Sequence, residues 1–269
     1  MPSSISVMDI DTLIPLSPSR TSDFKACPQL FKFRVIDRLP EPEDPASARG
    51  TLVHSVLETL LGEEPDQRTF ERSQQILKNT WADLKTEMTE AGLVLDADQE
   101  TVWLGEADHL LHNYFRIEDP SSISTHELEW WVEHQSDNLL LRGIIDRVEV
   151  DADGAWVLSD YKTGRSPNET YALGSFFGLK FYALVCWRAF GKMPAKLRLM
   201  HLREPEVLTL VPTEQMLEAF ERQMAAIGKA IDRALDTGDF RPRPSYMCSW
   251  CPHRPICPAH ADDVAMAAG

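Results

Sequence analysis

Leu140-Leu141-Arg142-Gly143-Ile144-Ile145-Asp146-Arg147-Val148-Glu149-Val150, then Asp151-Ala152-Asp153-Gly154, then Ala155-Trp156-Val157-Leu158-Ser159-Asp160-Tyr161-Lys162-Thr163-Gly164, reads as one β-hairpin. Both arms are rich in β-branched, aromatic and apolar residues, and Asp-Gly marks the turn between them. Folding back at that turn brings Asp146 close to Asp160. The strand period of two puts Asp160 and Lys162 on one face and Tyr161 on the other. Two carboxylates meeting beside a lysine repel each other unless something offsets them, and a hard divalent cation is the usual answer. A single Asp-x-Lys at a strand end is commonly a solvated surface feature. Here Asp146 is flanked by Ile144, Ile145 and Val148, and Asp160 ends an apolar strand. Charges placed inside apolar strands are costly unless paired or metal-bound.

Cysteine spacing is the second strong signal. Met247-Cys248-Ser249-Trp250-Cys251-Pro252-His253-Arg254-Pro255-Ile256-Cys257-Pro258 holds three cysteines in a proline-rich loop, and Cys27 lies far upstream in Ala26-Cys27-Pro28. The fifth, Cys186, sits in the apolar run Tyr182-Ala183-Leu184-Val185-Cys186-Trp187 and reads as a buried core thiol. Four thiolates for one tetrahedral site, with one left over, is consistent arithmetic. Nothing marks the chain as secreted, which disfavours disulfides. Zinc and an iron–sulfur cluster both accept four thiolates.

These features follow one another in a recognisable order. Ser17-Pro18-Ser19 and Cys27-Pro28 come first, then Arg49-Gly50-Thr51-Leu52-Val53-His54, then Gly143-Ile144-Ile145-Asp146-Arg147. Asp160-Tyr161-Lys162-Thr163-Gly164 and Tyr182-Ala183 come next, and the three cysteines close the series. In this order the chain resembles a RecB-type exonuclease of the PD-(D/E)XK nuclease superfamily, in its iron–sulfur branch. The resemblance implies an α/β fold, a restriction-endonuclease-like core in which a central mixed sheet is flanked by helices. It implies that His54, Asp146, Asp160 and the backbone carbonyl of Tyr161 bind Mg²⁺ or Mn²⁺, with Lys162 and Tyr182 completing the catalytic set. Arg49, Arg142 and Arg147 are candidate contacts to DNA phosphates, against the alternative that they pair with nearby acids. Cys27, Cys248, Cys251 and Cys257 would hold a 4Fe-4S cluster, with Zn²⁺ as the alternative. The implied activity is metal-dependent hydrolysis of DNA, of single-stranded ends, in repair or recombination. The family's glutamine four residues before the tyrosine is Gly178 here, so a DNA-binding scaffold with weak or no turnover is the competing reading.

Composition sets the remaining bounds. The chain has 269 residues and 43% hydrophobic content, enough for a sizeable core. No run of about 18 apolar residues occurs, and the start lacks a basic, then apolar, leader, so a cytoplasmic protein with no membrane span is expected. The formal charge of −15 argues against a DNA-coating protein but leaves room for a local basic groove. No Gly-x-x-x-x-Gly-Lys-Ser/Thr occurs, so any helicase partner would be a separate chain. We expect one nuclease domain over 1–269, with a helical part at 46–117, a core at 124–237 and an iron–sulfur tail at 239–260 closed by Cys27. Helices are expected at 18–36, 46–61, 69–92, 98–117, 169–191 and 213–237. Strands are expected at 124–134, 139–150, 155–162, 196–202 and 206–211. Glu58, one turn from His54, is a candidate to hold its ring.

Overall fold

A computed structural model describes residues 14–136, 139–166 and 172–261. The chain divides into two compact units. One comprises Pro42–Val132 and Ile144–Leu217; the other comprises Met1–Glu41, Glu133–Gly143 and Glu218–Gly269.

The helices of the first unit follow from their caps and apolar spacing. Asp44 accepts from the Ala46 and Ser47 amides and Pro45 occupies the first turn, which starts α3 (Pro45–Leu61). Thr69 caps α4 (Phe70–Glu90), and Asp96 with Gln99 forms a capping box on α5 (Ala97–Ile117). Leu52, Val53, Val56, Leu57, Leu60 and Leu61 recur at helical spacing on α3 and bury against Ile76, Leu77 and Trp81 of α4 and Trp103, Leu110, Leu111 and Tyr114 of α5. Trp81 and Trp103 lie 4.9 Å apart between ring centroids, so these aromatics are core.

Among the described residues the sheet has five strands in the order β1 (Thr125–Ser136), β2 (Leu139–Val150), β3 (Trp156–Lys162), β4 (Lys196–His201) and β5 (Glu206–Leu210). β2 and β3 are antiparallel, β3 and β4 parallel, and β4 and β5 antiparallel, so the sheet is mixed. The β2–β3 turn places Gly154 at φ +79°, a conformation that favours glycine. Tyr161, Met200 and Leu202 join the helical core of α3, α4 and α5 on one side of the sheet. α7 (Phe177–Phe190), preceded by α6 (Ala172–Ser175), packs on β3 and β4. The first residues of the expected 169–191 helix lie outside the described residues.

In the second unit the expected helix at 18–36 is broken. It is divided into α1 (Pro18–Ala26), α2 (Pro28–Phe31) and a π-helical turn at Lys32–Ile36. Between α1 and α2, Cys27 is extended at φ −158°, ψ 109°. The cause is Pro28, whose ring excludes the helical conformation from the residue before it. Leu16 bridges to Leu141, with backbone bonds to Leu140 and Arg142. α8 (Glu214–Thr237) completes the described helices. No described helix is long and apolar enough to cross a membrane.

Arg147 is fully buried. Its guanidinium meets Glu118 at 2.5 Å, Glu149 at 2.7 Å, the Tyr161 hydroxyl at 3.0 Å and the Tyr114 hydroxyl at 3.3 Å. Arg198 reaches the same two acids, at 3.0 Å from Glu118 and 3.2 Å from Glu149. Two arginines thus alternate with two glutamates, tying the end of α5 to β2, β3 and β4. Burial alone would raise the Glu118 carboxyl, but the Arg147 hydrogen bond and charge, with Arg198, hold it below its ordinary value. Arg147→Ala should therefore cost about 3–5 kcal/mol in urea unfolding, because it strands buried acids. Arg72→Ala, which removes the surface partner of Glu63, should leave the urea midpoint nearly unchanged. A carboxyl with a depressed folded pKa contributes stability that is complete above the unfolded value and lost as pH falls through the folded one. Glu118→Gln should accordingly flatten the acid limb of a stability–pH curve below about pH 4.5.

Candidate metal centre

The β2–β3 register sets Arg147 opposite Ser159, and one step further brings Asp146 toward Asp160. Because successive strand residues face opposite ways, burying Arg147 against α5 sends Asp146 to the other face. The Tyr161 amide donates to Asp146 Oδ2 at 2.7 Å. Lys162 Nζ lies 2.5 Å from Asp160 Oδ2.

His54 comes to this point from α3. Gly50, one turn earlier, allows the approach: a Cβ there would lie 3.0 Å from the Thr163 hydroxyl oxygen. His54 Nδ1 is 3.5 Å from Asp146 Oδ2 and 3.7 Å from Glu129 Oε1. Its Nε2 is 3.2 Å from the Tyr161 carbonyl oxygen. Among the described residues, His54, Glu129 and Asp146 are the one group of three or more potential metal-binding side chains whose ligand atoms all lie within 4.8 Å of one another.

Glu129 is absent from the residues expected from sequence. It lies on β1 with φ +42°, in the left-handed region that non-glycine residues seldom adopt. Backbone strain of this kind often accompanies a functional site. No motif marks Glu129; only its place in the fold does. Glu58, the expected support for His54, does not take that place. The Glu58 carboxyl is raised by burial and by the Glu129 charge, and Glu129 is the carboxylate near the ring.

The electrostatics fit a cation. Burial raises the Asp146 carboxyl and the Asp160 charge raises it further, while His54 and the Tyr161 amide oppose both. Burial works against a charged His54, but Glu129, Asp146 and Asp160 outweigh it and push the imidazole up to about 9. Three carboxylates therefore act on one histidine, an arrangement that favours bound protons or a cation. The donor set is one imidazole and carboxylate oxygens, which suits Mn²⁺ and Mg²⁺.

The remaining expected residues fall as follows. Asp160 stays with Lys162, outside the close group, though its charge acts on both His54 and Asp146. The Tyr161 carbonyl faces the His54 nitrogen turned away from Asp146 and Glu129. The Tyr182 hydroxyl is bonded to the Ile144 backbone, and burial with the charges of Asp160, Asp146 and Glu129 raises its pKa, so it stays a neutral donor. His201, the register partner of Lys162, is buried with no hydrogen bond to either ring nitrogen; it too was not expected from sequence. Arg49 pairs with Glu106 and lines a cavity with Thr163 and Arg203. Arg142 is half-buried in the other unit, where its amide donates to Leu16. Arg147 must be withdrawn as a phosphate contact, because it is fully buried and saturated by Glu118 and Glu149.

In the other unit Cys27, Cys248, Cys251 and Cys257 all line one cavity of about 300 Å³. The Arg243 amide donates to Cys27 Sγ at 3.3 Å and the Ser245 amide to Cys248 Sγ at 3.4 Å; the His253 amide bonds to Cys251. No three of the sulfurs fall within 4.8 Å of one another. Cys186 is buried in α7, and burial pushes its thiol up to about 12.

Comparison with known proteins bears on the fold and the family. Among solved structures, one described as a "Putative exonuclease" from Eubacterium rectale superposes with a TM-score of 0.58 at 14% identity, covering 89% of this chain and 88% of that one. At that identity it shows a shared fold. A structure of SSO0001 matches at 16% identity over 76% of this chain and 85% of that one, with a TM-score of 0.36, too low to carry an argument. No curated protein matches. Residues 15–258 match the model of the PD-(D/E)XK nuclease superfamily, and a match over that span makes the chain a member of it.

Proposed function

We propose that this chain is a metal-dependent DNA exonuclease acting on single-stranded ends in DNA repair or recombination. The observation that carries the proposal is the convergence of His54, Glu129 and Asp146 beside the Asp160–Lys162 pair. A divalent cation held by these groups would supply a Lewis acid for the scissile phosphate and lower the pKa of a bound water. His54, Glu129 and Asp146 would hold it, with Asp160 joining them as Lys162 turns away. The Lys162 ammonium would orient the attacking water and offset charge developing on the phosphate. The Tyr182 hydroxyl, kept neutral, would donate to a phosphate oxygen. Tyr161 positions the others through its amide and carbonyl. Gly178 favours a second reading, a DNA-binding scaffold without turnover, because it removes the side chain that the family presents ahead of Tyr182.

We also assign the four cysteines to a 4Fe-4S cluster. What supports it is that all four cysteines line one cavity and three of the sulfurs accept backbone amides, as the sulfurs of cluster sites do. The group would clamp Cys27 to the tail across more than two hundred residues of chain, which restricts the unfolded state.

Asp160→Ala or Lys162→Ala should abolish cleavage of labelled single-stranded DNA in Mn²⁺ or Mg²⁺ while circular dichroism stays unchanged, and EDTA should do the same to the wild type. Glu129→Gln should weaken Mn²⁺ binding by tenfold or more in calorimetry. Wild-type protein that binds DNA without cutting it would favour the scaffold, and Gly178→Gln should then restore turnover. Freshly purified protein should be brown and contain iron and sulfide. Colourless protein with one equivalent of zinc would overturn the cluster. Serine at any of the four cysteines should lower the melting temperature more than Cys186→Ser.

A further inference from the structure

We infer that the cysteine segment carries a stacking site for the unpaired bases of a nucleic-acid strand, formed by Tyr246 and Trp250. The two rings are 78% and 71% exposed. By contrast Trp81, Trp103 and Trp156 are all buried. Apolar surface continues over Met247 and Ile256, both more than half exposed. Clustered exposed apolar side chains of this kind mark an interaction site.

The rings are held in place by a short, well-bonded turn. Ser245 caps the 3₁₀ helix Tyr246–Ser249, accepting from the Met247 amide at 3.2 Å. The Ser249 hydroxyl donates to the Tyr246 carbonyl at 2.7 Å, and the Trp250 amide donates to the Met247 carbonyl at 3.1 Å. The ring centroids lie 6.1 Å apart with planes at 81°. Little order remains to be imposed on binding, so the contact costs little conformational entropy.

Charge selects the occupant. Of the 27 Lys and Arg residues, 12 lie in this unit, with 14 of the 42 Asp and Glu residues, so it carries −2 against −13 for the other unit. Residues 239–260 hold Arg241, Arg243 and Arg254 against one acid, Asp239. Arg243 is fixed beside the cavity, its guanidinium donating to the Lys25 carbonyl at 2.5 Å. Exposed aromatics interleaved with arginines on the least acidic part of an acidic chain match a polyanion that also offers flat apolar faces. Single-stranded nucleic acid is such a polyanion, and every base has a face that can stack. A duplex conceals those faces. This deepens the nuclease reading and rests on it for the choice of substrate, but it is tested by binding alone.

The test is fluorescence anisotropy in EDTA with labelled oligothymidine, an abasic strand of equal length and a duplex, with iron measured on every sample. The double variant Tyr246→Ala/Trp250→Ala should bind oligothymidine about tenfold or more weakly, as loss of stacking on one or two bases requires. Its affinity for the abasic strand and the duplex should not change, and Trp250→Phe should keep most of the wild-type affinity. Oligothymidine binding unchanged in the double variant overturns the site, as does an equal loss on all three probes. A concentration-dependent dimer that only the double variant loses, with unchanged DNA binding, would assign the patch to a second copy and overturns it too. Should the double variant lose its iron, ultraviolet cross-linking of wild-type protein to an iodouracil strand decides. Adducts on Tyr246 or Trp250 support the site, and adducts only elsewhere reject it. Wild-type protein that binds oligothymidine in this way but never cuts it would reject the nuclease reading and leave the stacking site standing.

Discussion

A single buried guanidinium, Arg147, fixes the strand register on which the candidate site depends. It is neutralised by Glu118 from the end of α5 and Glu149 from its own strand, and it donates to the hydroxyls of Tyr114 and Tyr161. Strand alternation turns this anchor into a positioning device, since Asp146 must face away from it. Tyr161 couples the two sides. Its hydroxyl is held by Arg147, its amide by Asp146 and its carbonyl by His54. A slip of one residue between β2 and β3 would put Asp146 under the sheet and the guanidinium in the site.

The resulting arrangement concentrates negative charge where burial makes it costly. Glu129, Asp146 and Asp160 act together on His54, and the Lys162 ammonium is engaged by Asp160. Glu129 also holds a strained backbone conformation. Charge crowding and strain at one place oppose folding, and the ladder beneath the sheet opposes both. Such a site is stable enough to persist, and a divalent cation there would offset its charge.

Much of this was legible in the sequence, for local reasons. The Asp-Gly turn between two apolar arms places Asp146 near Asp160 on local grounds alone. The 3.6-residue apolar spacing gives α3, α4 and α5 to within a residue or two. What sequence could not show depends on tertiary burial. Arg147 looks like a surface cation in a strand, and only its contact with Glu118, 29 residues away, reveals it as core. Glu129 stands among other acids on β1 and is singled out by its place beside His54 and by its backbone torsion. The break at Cys27 follows from Pro28, which the helical pattern of the flanking residues conceals.

The central claim is that His54, Glu129 and Asp146 form one cation site above the Arg147 ladder. Anomalous diffraction from crystals soaked in Mn²⁺ tests it most directly. The account predicts a manganese peak bonded to His54, Glu129 and Asp146, lost in Glu129→Gln crystals. Manganese bound elsewhere, or bound at Asp146 and Asp160 with Glu129 and His54 turned away, would contradict it.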